Sequence, residues 1–201
     1  MLRRICTRER HFYSKILKVS TSACPLTSVK GQALLYEGEC KKMGDHKSID
    51  KIRKVDIKDS VTANQVFSLQ KQSYRVEAEL IGTEKIPPLM ESLDELLSCG
   101  ETFFGFYEKE EIVAALSYKR DNEVVDIHRI MVHPNHFRKG LARQLLIYLV
   151  EQEPDVRKLI VSTGSANTPA VNLYEKLGFK KVGETVVGKG LSLTHFCKTM
   201  F

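Results

Sequence analysis

Apolar positions recur along residues 50–201 with two spacings, one typical of strands and one typical of helices. Strands are predicted at residues 51–57, 102–107, 112–118, 123–132, 158–161, 180–187 and 191–200. Helices are predicted after residue 59 or 60, over 92–98, from 139 or 140 to about 151, and after 167. The order is one strand, two helices, three strands, one helix, one strand, one helix and two strands. We therefore expect an α/β fold.

Capping and turn residues predict where these elements begin and end. Asp59 or Ser60 can cap the first helix, because their side-chain oxygens accept hydrogen bonds from its unpaired amides. Residues 79–88 are predicted as a loop, since a glycine and two prolines interrupt the helical spacing. Gly178 is expected to end the last helix, and residues 188–190 are expected to turn the chain between the last two strands.

The composition is that of an ordinary globular protein. Of the 201 residues, 42% are hydrophobic and 28% are charged, which is enough for one domain with a full core. No apolar run approaches about 18 residues, so the sequence predicts no membrane-spanning helix. The five cysteines form no Cys-x-x-Cys pair, which indicates neither a disulfide framework nor a zinc site. A reducing compartment, the cytoplasm, is therefore expected.

The net charge of +6 is confined to the first 48 residues, which hold ten basic and four acidic residues. Residues 49–201 hold 21 basic and 21 acidic residues, so the predicted domain is neutral. Binding of nucleic acid would need a basic face, which argues against that function for the domain.

Residues 1–48 lack sustained periodicity and are predicted as a basic, disordered leader ahead of a domain at 49–201. Early arginines with Ser and Thr are typical of a mitochondrial transit peptide, which would change the compartment. A basic arm that contacts nucleic acid is a second interpretation. Translation from an upstream start is the third, because residues 37–39 can be encoded by a bacterial ribosome-binding sequence shortly before Met43.

The segment after the fourth strand has the composition of an anion-binding turn. The strand ends at Val132, a proline turn and a basic loop follow, and a helix starts at Gly140. The first turn of a helix carries unpaired N–H groups and the positive end of the helix dipole. Glycine lets the backbone approach a ligand closely. Positive charge comes from Arg138, Lys139 and Arg143. The segment predicts either a diphosphate site or a solvated basic loop.

A second motif follows the next strand, where a polar loop leads into a short helix. Its pattern Asn-x-x-Ala-x-x-Leu-Tyr-x-x-x-Gly-Phe comprises Asn167, Ala170, Leu173, Tyr174, Gly178 and Phe179. The two motifs, in this order, resemble those of the GNAT superfamily of acetyl-CoA-dependent N-acetyltransferases. The resemblance covers about residues 50–201 and implies the GNAT fold, a mixed central sheet of about seven strands with helices on both faces.

The resemblance also implies an activity, which is transfer of an acetyl or other acyl group from acetyl-CoA to a primary amine in a ternary complex. The acceptor would be a small molecule or a peptide, no metal is implied, and a monomer or homodimer is expected. The backbone of residues 130–132 would pair with the pantetheine of CoA. The cofactor-binding residues would be Ile130, Met131, Val132, Phe137, Arg138, Lys139, Gly140, Leu141, Ala142, Arg143, Asn167 and Tyr174.

One position departs from the family pattern, since Phe137 stands where the family has Gln or Arg. The family's loop binds phosphate mostly through backbone N–H groups, so we expect weaker binding rather than none, and Arg138 could substitute. The departure also supports an alternative function, a catalytically weak acyl-CoA-binding module that serves as a sensor or partner. The presence of Tyr174 and Asn167 favours the enzyme.

Acetylation of an amine needs a base for the acceptor and an acid for the departing thiolate. By resemblance Tyr174 is the acid, with aromatic packing as the alternative, and Asn167 contacts the cofactor or simply caps a helix. Asp126 and His128 lie two residues apart and so share a face of their strand. Serotonin N-acetyltransferases carry a His pair at these positions, so both residues are candidates for the base. A water relay and a structural histidine are the alternatives.

The acceptor is expected between the first two helices, their connection and the turn at 188–190. Glu77, Glu79 and Glu84 could hold a cationic amine there or form a solvated acidic face. A metal site formed by the histidines at 128, 133 and 136 is disfavoured, because these positions straddle a strand and a proline turn.

Overall fold

The computed structural model describes residues 50–188 and 191–200, which build a seven-stranded sheet with helices against both faces. The predicted leader at 1–48 lies outside the described residues, and so does the centre of the predicted turn at 188–190. None of the described helices is both long and apolar enough to cross a membrane.

The elements follow one another in the predicted order, except that three helices instead of two lie between the first two strands. The strands are β1 (Ile52–Val55), β2 (Thr102–Glu108), β3 (Glu111–Asp121), β4 (Val124–Val132), β5 (Lys158–Gly164), β6 (Lys180–Gly188) and β7 (Leu191–Thr199). The helices are α1 (Ser60–Ile81), α2 (Pro87–Met90), α3 (Leu93–Leu97), α4 (Leu141–Gln152) and α5 (Thr168–Lys176). The sheet order is β1-β2-β3-β4-β5-β7-β6, with β4 and β5 parallel and the other described pairs antiparallel. The predicted fold class, a mixed α/β sheet, is confirmed.

Helix α1 corrects part of the loop predicted at 79–88. The helix continues to Ile81 and ends at Gly82, whose φ of 79° lies in the left-handed region that glycine adopts without strain. The N–H of Gly82 donates to the carbonyl of Ala78 at 2.8 Å and closes the last turn. The two prolines start α2 instead of only breaking the chain, because the first helical positions need no N–H partner.

A different hydrophobic core covers each face of the sheet. Helix α4 packs on one face through a leucine stripe that includes Leu145 and Leu149. Helix α1 packs on the other face through Val66 and Leu69, which belong to the same core as Met131 of β4. Each such buried side chain contributes about 1.5–3 kcal/mol to folding. The two helices therefore fix β4 between them from opposite sides.

Strand β4 is paired with β5 along only half of its length. Residues 124–127 pair with residues 158–161, and no pairing follows beyond them. The β3–β4 register shifts directly after Ser117 of β3, and His128 is the extra residue of this bulge. Residues 130–132 pair with β3 alone, so the edge of β4 that faces β5 is open there.

Candidate active site

The side of α1 that packs on the sheet differs in polarity between the two halves of the helix. Its first half is apolar and buries Ala63, Val66 and Leu69. Its second half carries polar side chains at spacings of three and four residues, which place them on one side of the helix. These residues are Gln70, Ser73, Tyr74 and Glu77. Polar groups buried against a sheet cost free energy unless they find partners, so this half of α1 is a candidate for chemistry.

The open edge of β4 carries backbone groups that point toward α1. The N–H of Val132 donates to Ser73 Oγ at 3.3 Å, whereas the N–H of His133 donates to the carbonyl of Val113 in β3 at 2.9 Å. Because N–H groups alternate between the two edges of a strand, that of Ile130 lies on the same edge as that of Val132. An extended ligand can pair with such an edge as an added strand.

The loop between β4 and α4 has a backbone suited to an anion. Arg138 and Gly140 have φ values of 63° and 76°, and left-handed residues of this kind are typical of the concave N–H clusters that bind anions. The first hydrogen bond within α4 joins the N–H of Gln144 to the carbonyl of Gly140 at 3.0 Å. The amides of Leu141 and Ala142 therefore have no partner within the helix.

Some side chains of this loop are exposed, and others contact neighbouring residues. Phe137, the departure from the family pattern, is 41% exposed. His133 Nδ1 accepts a hydrogen bond from the N–H of Asn135 at 3.2 Å, and His136 Nδ1 lies 3.4 Å from Glu108 Oε1. No group of three potential metal-ligating side chains occurs within the part of the chain that the structure describes.

Helix α5 brings Asn167 and Tyr174 to the end of β5. Asn167 caps the helix, with its Oδ1 accepting a hydrogen bond from the N–H of Ala170 at 3.2 Å. The ring of Tyr174 is buried, with centroids 5.5 Å from those of Phe179 and Phe196. Burial raises the pKa of Tyr174, and the nearby charge of Glu77 raises it further. The phenol therefore keeps its proton at neutral pH, as a general acid must.

Glu77 of α1 faces these two residues from across the open edge. Burial raises the pKa of Glu77, while a hydrogen bond from the Asn167 side chain opposes that shift. A Cβ added to Gly164, at the end of β5, would lie 3.9 Å from Glu77 Oε1 and only 2.4 Å from Ile81 Cδ1. A glycine at this position thus allows α1 to approach β5 closely. We call Ser73, Tyr74, Glu77, Asn167 and Tyr174 the cleft cluster.

A second group of polar residues lies on the face of the sheet that α1 covers, centred on Arg129 of β4. Its guanidinium donates to Gln70 Oε1 at 2.7 Å, to Glu91 Oε2 at 2.5 Å and to Glu101 Oε2 at 3.0 Å. Gln70 Nε2 in turn donates to Glu91 Oε2 at 2.8 Å. The arginine therefore joins α1, β2, β4 and the segment between α2 and α3. We call Gln70, Glu91, Glu101, Asp126, His128 and Arg129 the ionic cluster.

His128 extends the ionic cluster toward the surface. Its Nδ1 lies 2.9 Å from Glu101 Oε1 and its Nε2 lies 3.1 Å from Asp126 Oδ2. Burial alone would lower the pKa of His128, but the two carboxylates raise it to about 9. Burial alone would raise the pKa of Glu101, yet the hydrogen bond from His128 and the charge of Arg129 lower it to about 2. The ring is therefore protonated at neutral pH.

Sequence reasoning anticipated some of these contacts and missed others. The expected neighbours Asp126 and His128 do meet, but Glu101 and Arg129 were not among the predicted site residues. The signal was the arginine directly before the apolar positions 130–132, because a basic residue in a strand that packs on a core indicates a buried ion pair. Of the three predicted acceptor carboxylates, only Glu77 is part of the cleft cluster, because Glu79 and Glu84 are exposed.

Comparison with known proteins identifies the family of the chain. Residues 63–179 match the model of the "Acetyltransferase (GNAT) family". The chain is 34% identical over 139 residues to the UPF0157 protein YqkA of Bacillus subtilis, an alignment that covers 69% of the chain and 40% of YqkA. The chain thus spans about two fifths of the length of YqkA.

Alignments with two further proteins cover most of the length of each of those proteins. The chain is 29% identical over 127 residues to the uncharacterized N-acetyltransferase YsnE of Bacillus subtilis, covering 61% of the chain and 83% of YsnE. Among solved structures, yncA, a putative acetyltransferase from Salmonella typhimurium with its cofactor acetyl-CoA, superposes with a TM-score of 0.57 at 20% identity. That alignment covers 74% of the chain and 92% of yncA, and it shows a shared fold.

Proposed function

The chain belongs to the acetyltransferase (GNAT) family, and on that premise we propose that it transfers an acetyl group from acetyl-CoA to a primary amine of a small molecule or peptide. Family membership supports acyl transfer from acetyl-CoA in general. The observation that carries the finer proposal is the open edge of β4, which has an anion-type loop at one end and the cleft cluster beside it.

The residues along this edge fit the parts of acetyl-CoA. The amides of Gly140, Leu141 and Ala142 would hold the diphosphate, since α4 does not use them for its own hydrogen bonds. Added positive charge would come from Arg138, Lys139 and Arg143. The exposed ring of Phe137 offers no donor, so the backbone would carry most of this contact.

The pantetheine would lie along the backbone of Ile130, Met131 and Val132, with Asn167 at the far end. When bound, acetyl-CoA supplies the thioester carbon that an amine attacks. The N–H of Val132 would polarise the acyl oxygen in place of its hydrogen bond to Ser73 Oγ. A donor of this kind is worth about 3 kcal/mol in related chemistry. Tyr174 would protonate the departing sulfur, because its raised pKa keeps the phenol protonated until that step.

For His128 and Asp126, the contacts favour a positioning role over the predicted role as general base. Carboxylates engage both ring nitrogens, and the pKa of about 9 means that the ring already holds its proton at neutral pH. A protonated imidazole cannot accept the proton of an ammonium group. We propose that the pair fixes the bulge of β4 at the floor of the acceptor site.

Two measurements test the proposed function. Isothermal calorimetry with acetyl-CoA should give a micromolar dissociation constant, and a panel of primary amines should then release free thiol in the presence of the enzyme. Failure to bind acetyl-CoA at millimolar concentration would overturn the proposal. Binding without turnover on a broad amine panel would instead support the acyl-CoA-binding module.

A further inference from the structure

Glu77 is half-buried, and its partners differ from those of the carboxylates in the ionic cluster. An alkylammonium acceptor must lose a proton before it can attack, which costs about 4 kcal/mol at neutral pH. Glu91 and Glu101 are paired with Arg129, whereas no basic side chain among the described residues forms an ion pair with Glu77. We propose that Glu77 is the catalytic base that takes this proton, an inference that rests on the proposed function.

The contacts of Glu77 hold its carboxylate at the place where the other reacting groups meet. Because the Oδ1 of Asn167 accepts from the N–H of Ala170, it is the side-chain N–H of Asn167 that donates to Glu77. One turn earlier on α1, Ser73 accepts the N–H of Val132, the proposed donor to the acyl oxygen. On the opposite side, the charge of Glu77 acts on Tyr174, the proposed acid.

The surroundings of Glu77 suit a base. The titratable groups that face it are Tyr74 on its own helix and Tyr174 on α5, and both are phenols whose pKa burial raises. Burial also raises the pKa of Glu77 toward the working range of a general base. The nearest charges beyond Tyr74 are those of Arg129 and Glu101, which are paired with each other.

Charge and protons balance in the step that we infer. The Glu77 carboxylate accepts one proton from the acceptor ammonium and passes it to solvent. The nitrogen lone pair forms the N–C bond, the C–S bond breaks with its electron pair on sulfur, and Tyr174 protonates that sulfur. A second proton from the nitrogen restores the phenol, so the products are an amide, free thiol and one released proton.

The same surroundings define a class of acceptor. A carboxylate that forms no ion pair with a basic side chain among the described residues attracts a small cation through its charge. We therefore expect primary alkylamines that are protonated in solution to be preferred over acceptors that carry an additional carboxylate near the amine.

The test compares Glu77→Gln with Glu79→Gln, a control on an exposed residue of the same helix. With an alkylamine, Glu77→Gln should lower kcat by about 100-fold, while the control stays within about twofold of wild type. With an acceptor whose amine has a pKa below the assay pH, the loss should shrink to less than about fivefold, because that amine arrives without the extra proton.

Two further readouts separate a base from a structural residue. The acidic limb of the kcat profile should disappear in Glu77→Gln, and Glu77→Asp should recover part of the rate with the alkylamine. An equal loss with both acceptors, or a retained limb, would overturn the assignment. If wild type binds acetyl-CoA but acetylates no amine, the proposed function fails; if wild type is active and Glu77→Gln is equally active, this inference alone fails.

Discussion

The ionic cluster and the cleft cluster both include residues of α1, and both hold carboxylates of reduced solvent exposure. In the ionic cluster, Arg129 and His128 compensate the carboxylates, and the pKa of Glu101 falls to about 2. In the cleft cluster, Glu77 has only an amide for a partner among the described residues, and burial raises its pKa.

The contrast shows why burial alone does not identify a catalytic carboxylate. A paired carboxylate keeps its charge across the physiological range and holds structural elements together. Burial without a cation raises the pKa of a carboxylate, which brings it closer to the range that acid–base chemistry requires. The compensating cation, rather than the degree of burial, separates the two clusters.

Arg129→Met should break the ionic cluster. Glu91 and Glu101 would remain buried without a counter-charge, so the free energy of unfolding should fall by about 3–5 kcal/mol in urea titrations. The control is Arg157→Met, because Arg157 pairs with Glu123 at 3.1 Å on the surface and is 75% exposed. That variant should change stability by less than about 1 kcal/mol. Equal losses in the two variants would contradict the prediction.

Tyr174→Phe, a substitution in the cleft cluster, should lower the catalytic rate and leave the stability of the fold nearly unchanged. Removing the hydroxyl deletes the proposed acid but keeps the ring that packs on Phe179 and Phe196. We expect kcat to fall by about 100-fold in the thiol-release assay, with acetyl-CoA affinity within about twofold of wild type. Tyr148→Phe on α4 serves as the control. A wild-type kcat for Tyr174→Phe would reject the acid role.

The pH dependence of stability should follow His128. Its pKa is raised from 6.5 to about 9 in the folded state, so its stabilising contribution is complete below pH 6.5 and is lost as the pH rises through 9. A pKa change from 6.5 to about 9 corresponds to about 3.4 kcal/mol. Solvent screening of this partly exposed ring should reduce the loss to about 2 kcal/mol, measured as unfolding free energy at several pH values. His128→Gln should flatten the curve over this interval, and an unchanged curve would show that the pair is not formed.

Acid should destabilise the same cluster through Glu101. Its pKa is lowered from 4.5 to about 2 on folding, so its contribution is complete above pH 4.5 and is lost as the pH falls toward 2. Thermal unfolding of Glu101→Gln and wild type should therefore differ most above pH 4.5. A constant difference down to pH 2 would argue that the effect of the substitution is steric.

Glu77→Gln should increase stability, whereas Arg129→Met should decrease it, and the change should be the smallest of those predicted here. Because folding raises the pKa of Glu77, the charged form is the disfavoured one, and the variant should be more stable than wild type at pH 7. This gain should vanish near pH 4, where the wild-type side chain is protonated in both states. A destabilised variant at pH 7 would indicate that the carboxylate has a buried positive partner.

Much of the fold follows from local patterns. The seven strands, the capped helices and the two motifs were predicted because alternation, capping and turn residues act over a few neighbouring positions. The end of α1 and the short helix α2 were missed for a local reason: Gly82 extends the last turn of α1, and prolines can start a helix as well as stop one.

In the candidate site, too, some features follow from local sequence and others depend on tertiary contacts. Local sequence patterns are enough to place the loop at 137–143, the helix of Tyr174 and the strand that carries Asp126 and His128. Which carboxylates are compensated depends on contacts between distant parts of the chain, since Arg129 meets Glu101 and Glu91 across 28 and 38 residues. Electrostatic compensation depends on distance through space, and that distance is set by how the helices pack on the sheet.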